Sequence, residues 1–108
     1  LSPEFVDGLE TEYDQEKAFR GADFIYAKNW SSYNTYGQIL SKDYGWTVNE
    51  EKMALTNNAF FMHCLPVRRN VVVADGVLDS PASIVVEQAA NREITAQTVI
   101  KMILEGKL

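Results

Sequence analysis

His63 and Cys64, the only histidine and the only cysteine of the chain, stand side by side after the apolar run Phe60-Phe61-Met62. Leu65-Pro66 follows, and then the adjacent cations Arg68 and Arg69. A thiol next to an imidazole suggests a nucleophile with its base, but neighbours on a strand point to opposite faces, so direct pairing is not expected. Each also has a plain structural reading, Cys64 as a small buried filler and His63 as a packed ring. Pro66 bends the backbone here, and a bend can aim carbonyl groups rather than the thiol at a ligand. A planar guanidinium is a two-pronged partner for carboxylate or phosphate, although Arg68 and Arg69 would by default be solvated, and at most one of two neighbours faces a site.

Two further cations stand out. Lys28 ends a second β-favouring run, Asp23-Phe24-Ile25-Tyr26-Ala27, where it could equally be a snorkelling surface side chain. Arg92 falls on the same helical face as Ala96, Val99 and Ile103, near the start of the last helix, so it is expected to point toward packed structure. A cation near a helix N-terminus opposes the helix dipole unless both share an anionic ligand. Both strand ends are site candidates, because open α/β sheets bind ligands beyond the carboxyl ends of their strands.

The elements that must position these residues follow an α/β order. Residues 1–10 read as a connector, and Thr11-Glu12-Tyr13 as a short strand. Asp14 is a natural N-cap for a helix over 15–20 that Gly21 stops. The strand at 23–27 leads into a long loop through Lys28-Asn29-Trp30-Ser31-Ser32 to Gly37. Thr47 and Glu50 make a capping box opening a helix that ends near Asn57-Asn58. A buried parallel strand at 60–63 follows. Residues 71–73 are extended or lead into a short turn of helix, Asp79-Ser80-Pro81 is a turn, and 83–86 is extended or leads into the last helix. That helix runs from about Glu87 to Glu105, closed by Gly106.

Composition bounds the function. The chain has 108 residues, so at most one domain, with an apolar share of 46% and a charged share of 23%. The net charge of −5 with interspersed signs argues against nucleic acid as a partner. Apolar runs fall far short of a membrane span, and one cysteine excludes an internal disulfide, which suits a cytoplasmic setting. The start, Leu1-Ser2-Pro3-Glu4, reads like the middle of a longer protein. On these grounds the chain reads as part of an α/β protein, with a cationic site expected to suit small anionic ligands.

Phe61-Met62-His63-Cys64-Leu65-Pro66 resembles the FMHCLP signature of the ornithine carbamoyltransferase family, and Glu87-Gln88-Ala89-Ala90-Asn91-Arg92 resembles its EAENR signature. The interval of 28 positions from Cys64 to Arg92 also matches, and the resemblance covers essentially the whole chain. The free-ornithine members have an Asp-x-Trp…Ser-Met-Gly loop, where this chain has Lys28-Asn29-Trp30-Ser31-Ser32. With Val67-Arg68-Arg69-Asn70 after the first motif, the chain is closer to members that act on N-acylated ornithine. The acetylornithine members carry a lysine eight positions after the motif cysteine. Val72 stands there, so N-succinyl-L-ornithine is favoured, with N-acetyl-L-ornithine as the alternative.

The resemblance implies a parallel-sheet, Rossmann-like fold. Residues 1–86 would be part of the acylornithine-binding domain, and 87–108 a C-terminal helix returning toward a carbamoyl phosphate domain. It implies carbamoyl transfer to the δ-amine in arginine biosynthesis, without metal or cofactor, in a cytoplasmic homotrimer. His63, Cys64, Leu65 and Arg92 would surround carbamoyl phosphate, His63 in a supporting place, with Cys64 and Arg92 catalytic. Lys28, Cys64 and Arg68 would hold the acylornithine. The family's Ser-x-Arg-Thr-Arg phosphate loop is not in this sequence, so this stretch alone is expected to be inactive. Two rivals remain: a non-catalytic module binding a small carboxylate, and an interaction domain in which Lys28, Arg68 and Arg92 do not converge. If the site reading holds, those three cations should line one cleft.

Overall fold

The computed structural model describes residues 7–30 and 44–108. Its elements in chain order are α1 (Gln15–Phe19), β1 (Phe24–Ala27), a 3-10 turn (Tyr44–Trp46), α2 (Glu50–Met53), β2 (Phe60–His63), α3 (Asp75–Leu78) and α4 (Val85–Leu104). Residues 1–6, most of the expected connector, and Ser31 to Gly37 of the expected loop lie outside the described residues.

The fold is α/β, built on a parallel pair. β1 and β2 run in register, Phe24 opposite Phe60, Ile25 opposite Phe61, Tyr26 opposite Met62 and Ala27 opposite His63. The other edge of β2 is also engaged, since the Phe61 amide donates to the Ala82 carbonyl at 2.8 Å and the Ile84 amide to the Phe61 carbonyl at 2.9 Å. Phe61 is thus held on both sides and is wholly buried. The period-2 alternation of a strand sends Ile25, Phe61 and His63 inward and Phe24 and Phe60 outward. Phe19, Ile25, Val48, Ala59, Phe61, Val73, Val77, Leu78 and Val85 pack as one core cluster. Burying one such side chain contributes about 1.5–3 kcal/mol, so this cluster carries the domain.

The strands were expected to be buried on both faces. Instead Phe24 and Phe60 are 60% and 45% exposed, their rings 6.0 Å apart. A parallel sheet is normally covered on both faces, and here the outward face is left largely exposed at Phe24 and Phe60 among the described residues.

Local caps decide where the helices start. Asp14 accepts from the Glu16 and Lys17 amides, as expected, and Gly21 closes α1 at φ 70°, where a side chain would be strained. The capping box at Thr47 and Glu50 does not form. Asn49 caps α2 by accepting from the Lys52 amide, while the Thr47 hydroxyl donates to the Val71 carbonyl at 2.7 Å. The helix accordingly ends at Met53, well short of Asn57. Thr11-Glu12-Tyr13 is not a strand, since Glu12 folds back to accept the Asp14 amide at 2.8 Å. Val73 makes a parallel bridge to Val48 after a turn at 70–72. α3 is the short turn of helix into which residues 71–73 were open to lead, and its first amide, that of Asp75, donates to Asn70 Oδ1 at 3.1 Å.

α4 begins at Val85, two residues before the expected start, and its 20 residues span about 30 Å. Only its first turns rest on the sheet. Val85 is buried and Gln88 and Ala89 half-buried, whereas every residue from Ala90 to Lys101 is exposed. The face carrying Arg92, Ala96, Val99 and Ile103 therefore does not meet packed structure among the described residues, contrary to expectation: the helix has already left the small sheet. No helix among the described residues is long and apolar enough to cross a membrane.

Candidate active site

Three of the candidate residues come together. Cys64 and Leu65, just past the end of β2, line a cleft of about 430 Å³ with Arg92, Gln88 and Ala89 of α4 and Tyr26 of β1. The cleft exists because α4 starts beside β2 and carries Gln88 and Arg92, one turn apart, along the same side. Arg92 is the eighth residue of α4, beyond the first turn in which the helix dipole acts, so the expected pairing of a cation with the helix N-terminus is not what places it.

The turn after β2 is unusual. Leu65 has φ 49°, in the left-handed region, and the Leu65–Pro66 peptide bond is cis. The Leu65 amide donates to His63 Nδ1 at 2.9 Å. His63 is 1% exposed, and burial pushes its pKa below the usual imidazole value. Its ring points into the core while Cys64 lies at the cleft, so the two do not act as nucleophile and base, as the strand geometry predicted.

Lys28 lines a neighbouring cleft of about 340 Å³ with Trp30, Trp46, Val48 and Val72, and Tyr26 belongs to both clefts. Val72, the position that separated the two acyl substrates in sequence, is buried there at 1% exposure. Arg68 donates from Nη1 to the Trp30 carbonyl at 3.3 Å. The expectation that Lys28, Arg68 and Arg92 line one cleft is therefore not met among the described residues. Arg92 and Lys28 occupy adjoining clefts, and a backbone carbonyl draws Arg68 to the loop after β1.

Arg69 is fully engaged elsewhere. It pairs with Asp75 at 2.7 Å and with both carboxylate oxygens of Asp79, which raises its own pKa further and holds those two carboxyls below their usual range. Of the two neighbouring arginines, Arg69 braces α3, and Arg68 is the one left on the loop side.

Sequence reasoning missed several contributors. Gln88 could have been found as the residue one turn before Arg92. Asn29, whose Nδ2 donates to the Pro66 carbonyl at 2.9 Å, ties the two strand ends together. Lys52 ties Gln15, Gly45 and Thr47 with one ammonium, at 2.5, 2.5 and 2.9 Å. Neither had a local signal, because their partners lie far along the chain or on the backbone.

Comparison with known proteins agrees with this architecture. Residues 6–103 match the family model of the aspartate/ornithine carbamoyltransferase Asp/Orn-binding domain. The N-succinylornithine carbamoyltransferase of Bacteroides thetaiotaomicron is 64% identical over 98% of this chain and 34% of its own length. The N-acetylornithine carbamoyltransferase of Xanthomonas campestris pv. campestris is 41% identical over 92% of this chain and 31% of its own length. A crystal structure of an N-acetyl-L-ornithine transcarbamylase mutant complexed with carbamyl phosphate and N-succinyl-L-norvaline matches with a TM-score of 0.68. That match has 42% identity and covers 78% of this chain and 27% of the other. The chain thus spans about a third of the length of the curated relatives it matches.

Proposed function

The chain belongs to the aspartate/ornithine carbamoyltransferase family, and from that premise we propose that it is the acylornithine-side portion of an enzyme carbamoylating N-succinyl-L-ornithine. The observation that carries the reading is the cleft in which Cys64 and Leu65 meet Arg92. The closer likeness to the succinylornithine relative, 64% against 41% for the acetylornithine one, supports succinyl over acetyl. Apolar Val72 beside Lys28 supports the same choice.

In this reading the neutral δ-amine attacks the carbonyl carbon of carbamoyl phosphate. A tetrahedral intermediate forms, phosphate leaves with the C–O bond electrons, and the amine gives up a proton. The backbone carbonyls of Cys64 and Leu65 accept from the carbamoyl NH2 and fix its plane. Arg92 donates to the carbamoyl oxygen, where negative charge grows, so its interaction strengthens toward the transition state. Cys64 flanks the attacking amine, and His63 supports the turn. Lys28 and Arg68 hold the acylornithine carboxylate, Arg68 leaving the Trp30 carbonyl for the stronger charged partner. The chemistry is positioning and charge stabilisation, and needs no covalent intermediate. The phosphate is held by a part of the longer protein outside this chain, and the intact assembly is a cytoplasmic homotrimer.

Assaying the intact protein with carbamoyl phosphate and each acylornithine tests this. Turnover with N-succinyl-L-ornithine well above N-acetyl-L-ornithine is expected, and no turnover from residues 1–108 alone. Preference for the acetyl substrate would overturn the acyl assignment, and turnover by the chain alone would overturn the reading of it as half a site.

A further inference from the structure

The Cys64–Leu65 turn lies outside regular secondary structure, yet it must present its backbone to the cleft in one orientation. Leu65 is held at φ 49°, a region a side chain with a Cβ adopts only when its surroundings over-determine it. A side chain acts on that peptide: the Leu65 amide donates to His63 Nδ1 at 2.9 Å. His63 is fixed in turn, buried at the inward end of β2 opposite Ala27. Because Nδ1 accepts, the proton of the neutral ring sits on Nε2, which is buried without a partner among the described residues. The ring is therefore specified by its acceptor nitrogen.

We propose that His63 is the positioning residue of the ledge: its Nδ1 holds the Leu65 peptide so that Cys64 and Leu65 offer their backbone to the cleft lined by Arg92. This sharpens the supporting place given to His63 by the resemblance, and its kinetic consequence rests on the carbamoyl-transfer reading. It separates the two ring nitrogens by role. Asparagine places Oδ1 where Nδ1 was, whereas glutamine reproduces only the Nε2 end.

In the intact protein, His63→Asn is expected to keep the Leu65 amide protected from hydrogen exchange and to hold kcat/KM for carbamoyl phosphate about 10-fold or more above that of His63→Gln. His63→Gln is expected to deprotect that amide and lower kcat/KM about 100-fold, the scale of an ångström of misplacement, with KM for the acylornithine unchanged. Equal losses in both variants, or Gln outperforming Asn, would overturn the proposal by making His63 a space-filler. A measurement without substitution guards against misfolded variants: nitrogen NMR of wild-type His63 should show the neutral Nε2–H tautomer, and an Nδ1–H tautomer or an imidazolium at neutral pH overturns it. If wild type fails to turn over carbamoyl phosphate, the functional reading falls, while Leu65 exchange and the His63 tautomer still decide the positioning role.

Discussion

Asn29 Nδ2 donates to the Pro66 carbonyl at 2.9 Å, so the loops leaving the carboxyl ends of β1 and β2 are one structure rather than two. Lys28 and Trp30 sit on one side of this tie and the Cys64–Leu65 turn on the other. Cutting it leaves the Pro66 carbonyl without this donor and removes one of the ties between the loops, the Arg68–Trp30 bond being another. Asn29→Ala is expected to cost about 1 kcal/mol. Asn29→Asp should cost more, since it sets a carboxylate against the carbonyl. Urea midpoints at constant m-value read this directly, and an unshifted midpoint for Asn29→Asp would rule out the tie.

Arg92 and Arg69 should separate cleanly in kinetics. Arg92 lines the cleft with Cys64 and Leu65, and as the proposed donor to the developing oxyanion its loss in Arg92→Ala should lower kcat about 10²–10³-fold. Arg69→Ala instead releases Asp75 and Asp79, lowering the melting temperature while kcat stays within a few-fold. Comparable kcat losses would mean that the wrong arginine has been placed at the reacting group.

Lys52 joins α1, the 3-10 turn and α2 through Gln15, Gly45 and Thr47. Lys52→Met keeps the stem and deletes the donors, so the expected cost is about 1–2 kcal/mol. The loosening should be local, with faster amide exchange at Thr47 and unchanged exchange at Phe61. Uniform change across both would show that the ammonium is not a local tie.

Burial lowers the His63 pKa below its ordinary 6.5, so the unfolded chain binds a proton that the folded chain excludes. Stability from this residue is therefore complete above 6.5 and declines as pH falls from there toward the lowered folded value. Asp14, whose first cause is the Lys17 amide, and Asp75 and Asp79, paired with Arg69, are lowered from 3.8. Their contribution persists above 3.8 and is lost only at more acid pH. Unfolding midpoints between about pH 7.5 and about pH 5 should thus fall for wild type and stay nearly flat for His63→Asn. Parallel curves for the two proteins would exclude His63 as the titrating group.

By itself the sequence determined what local chemistry determines. The apolar runs became β1 and β2 within a residue, because strand pattern and flanking breakers are local. Asp14 capped α1, Gly106 followed the end of α4 with φ 65°, and the motif residues Cys64, Leu65 and Arg92 were recognisable before any coordinates. Tertiary structure decided the rest wherever a polar group had a choice of partners. Thr47 gave its hydroxyl to Val71 and left the cap to Asn49; Asn70 reached forward to start α3; Arg69 was taken by two aspartates and Arg68 by a carbonyl. Side-chain spacing also could not say how far α4 would stay on a two-stranded sheet, and so misjudged the surroundings of Arg92 while identifying the residue. Types and intervals are written in the chain, but a hydrogen-bonding group commits only when packing brings it one partner rather than another.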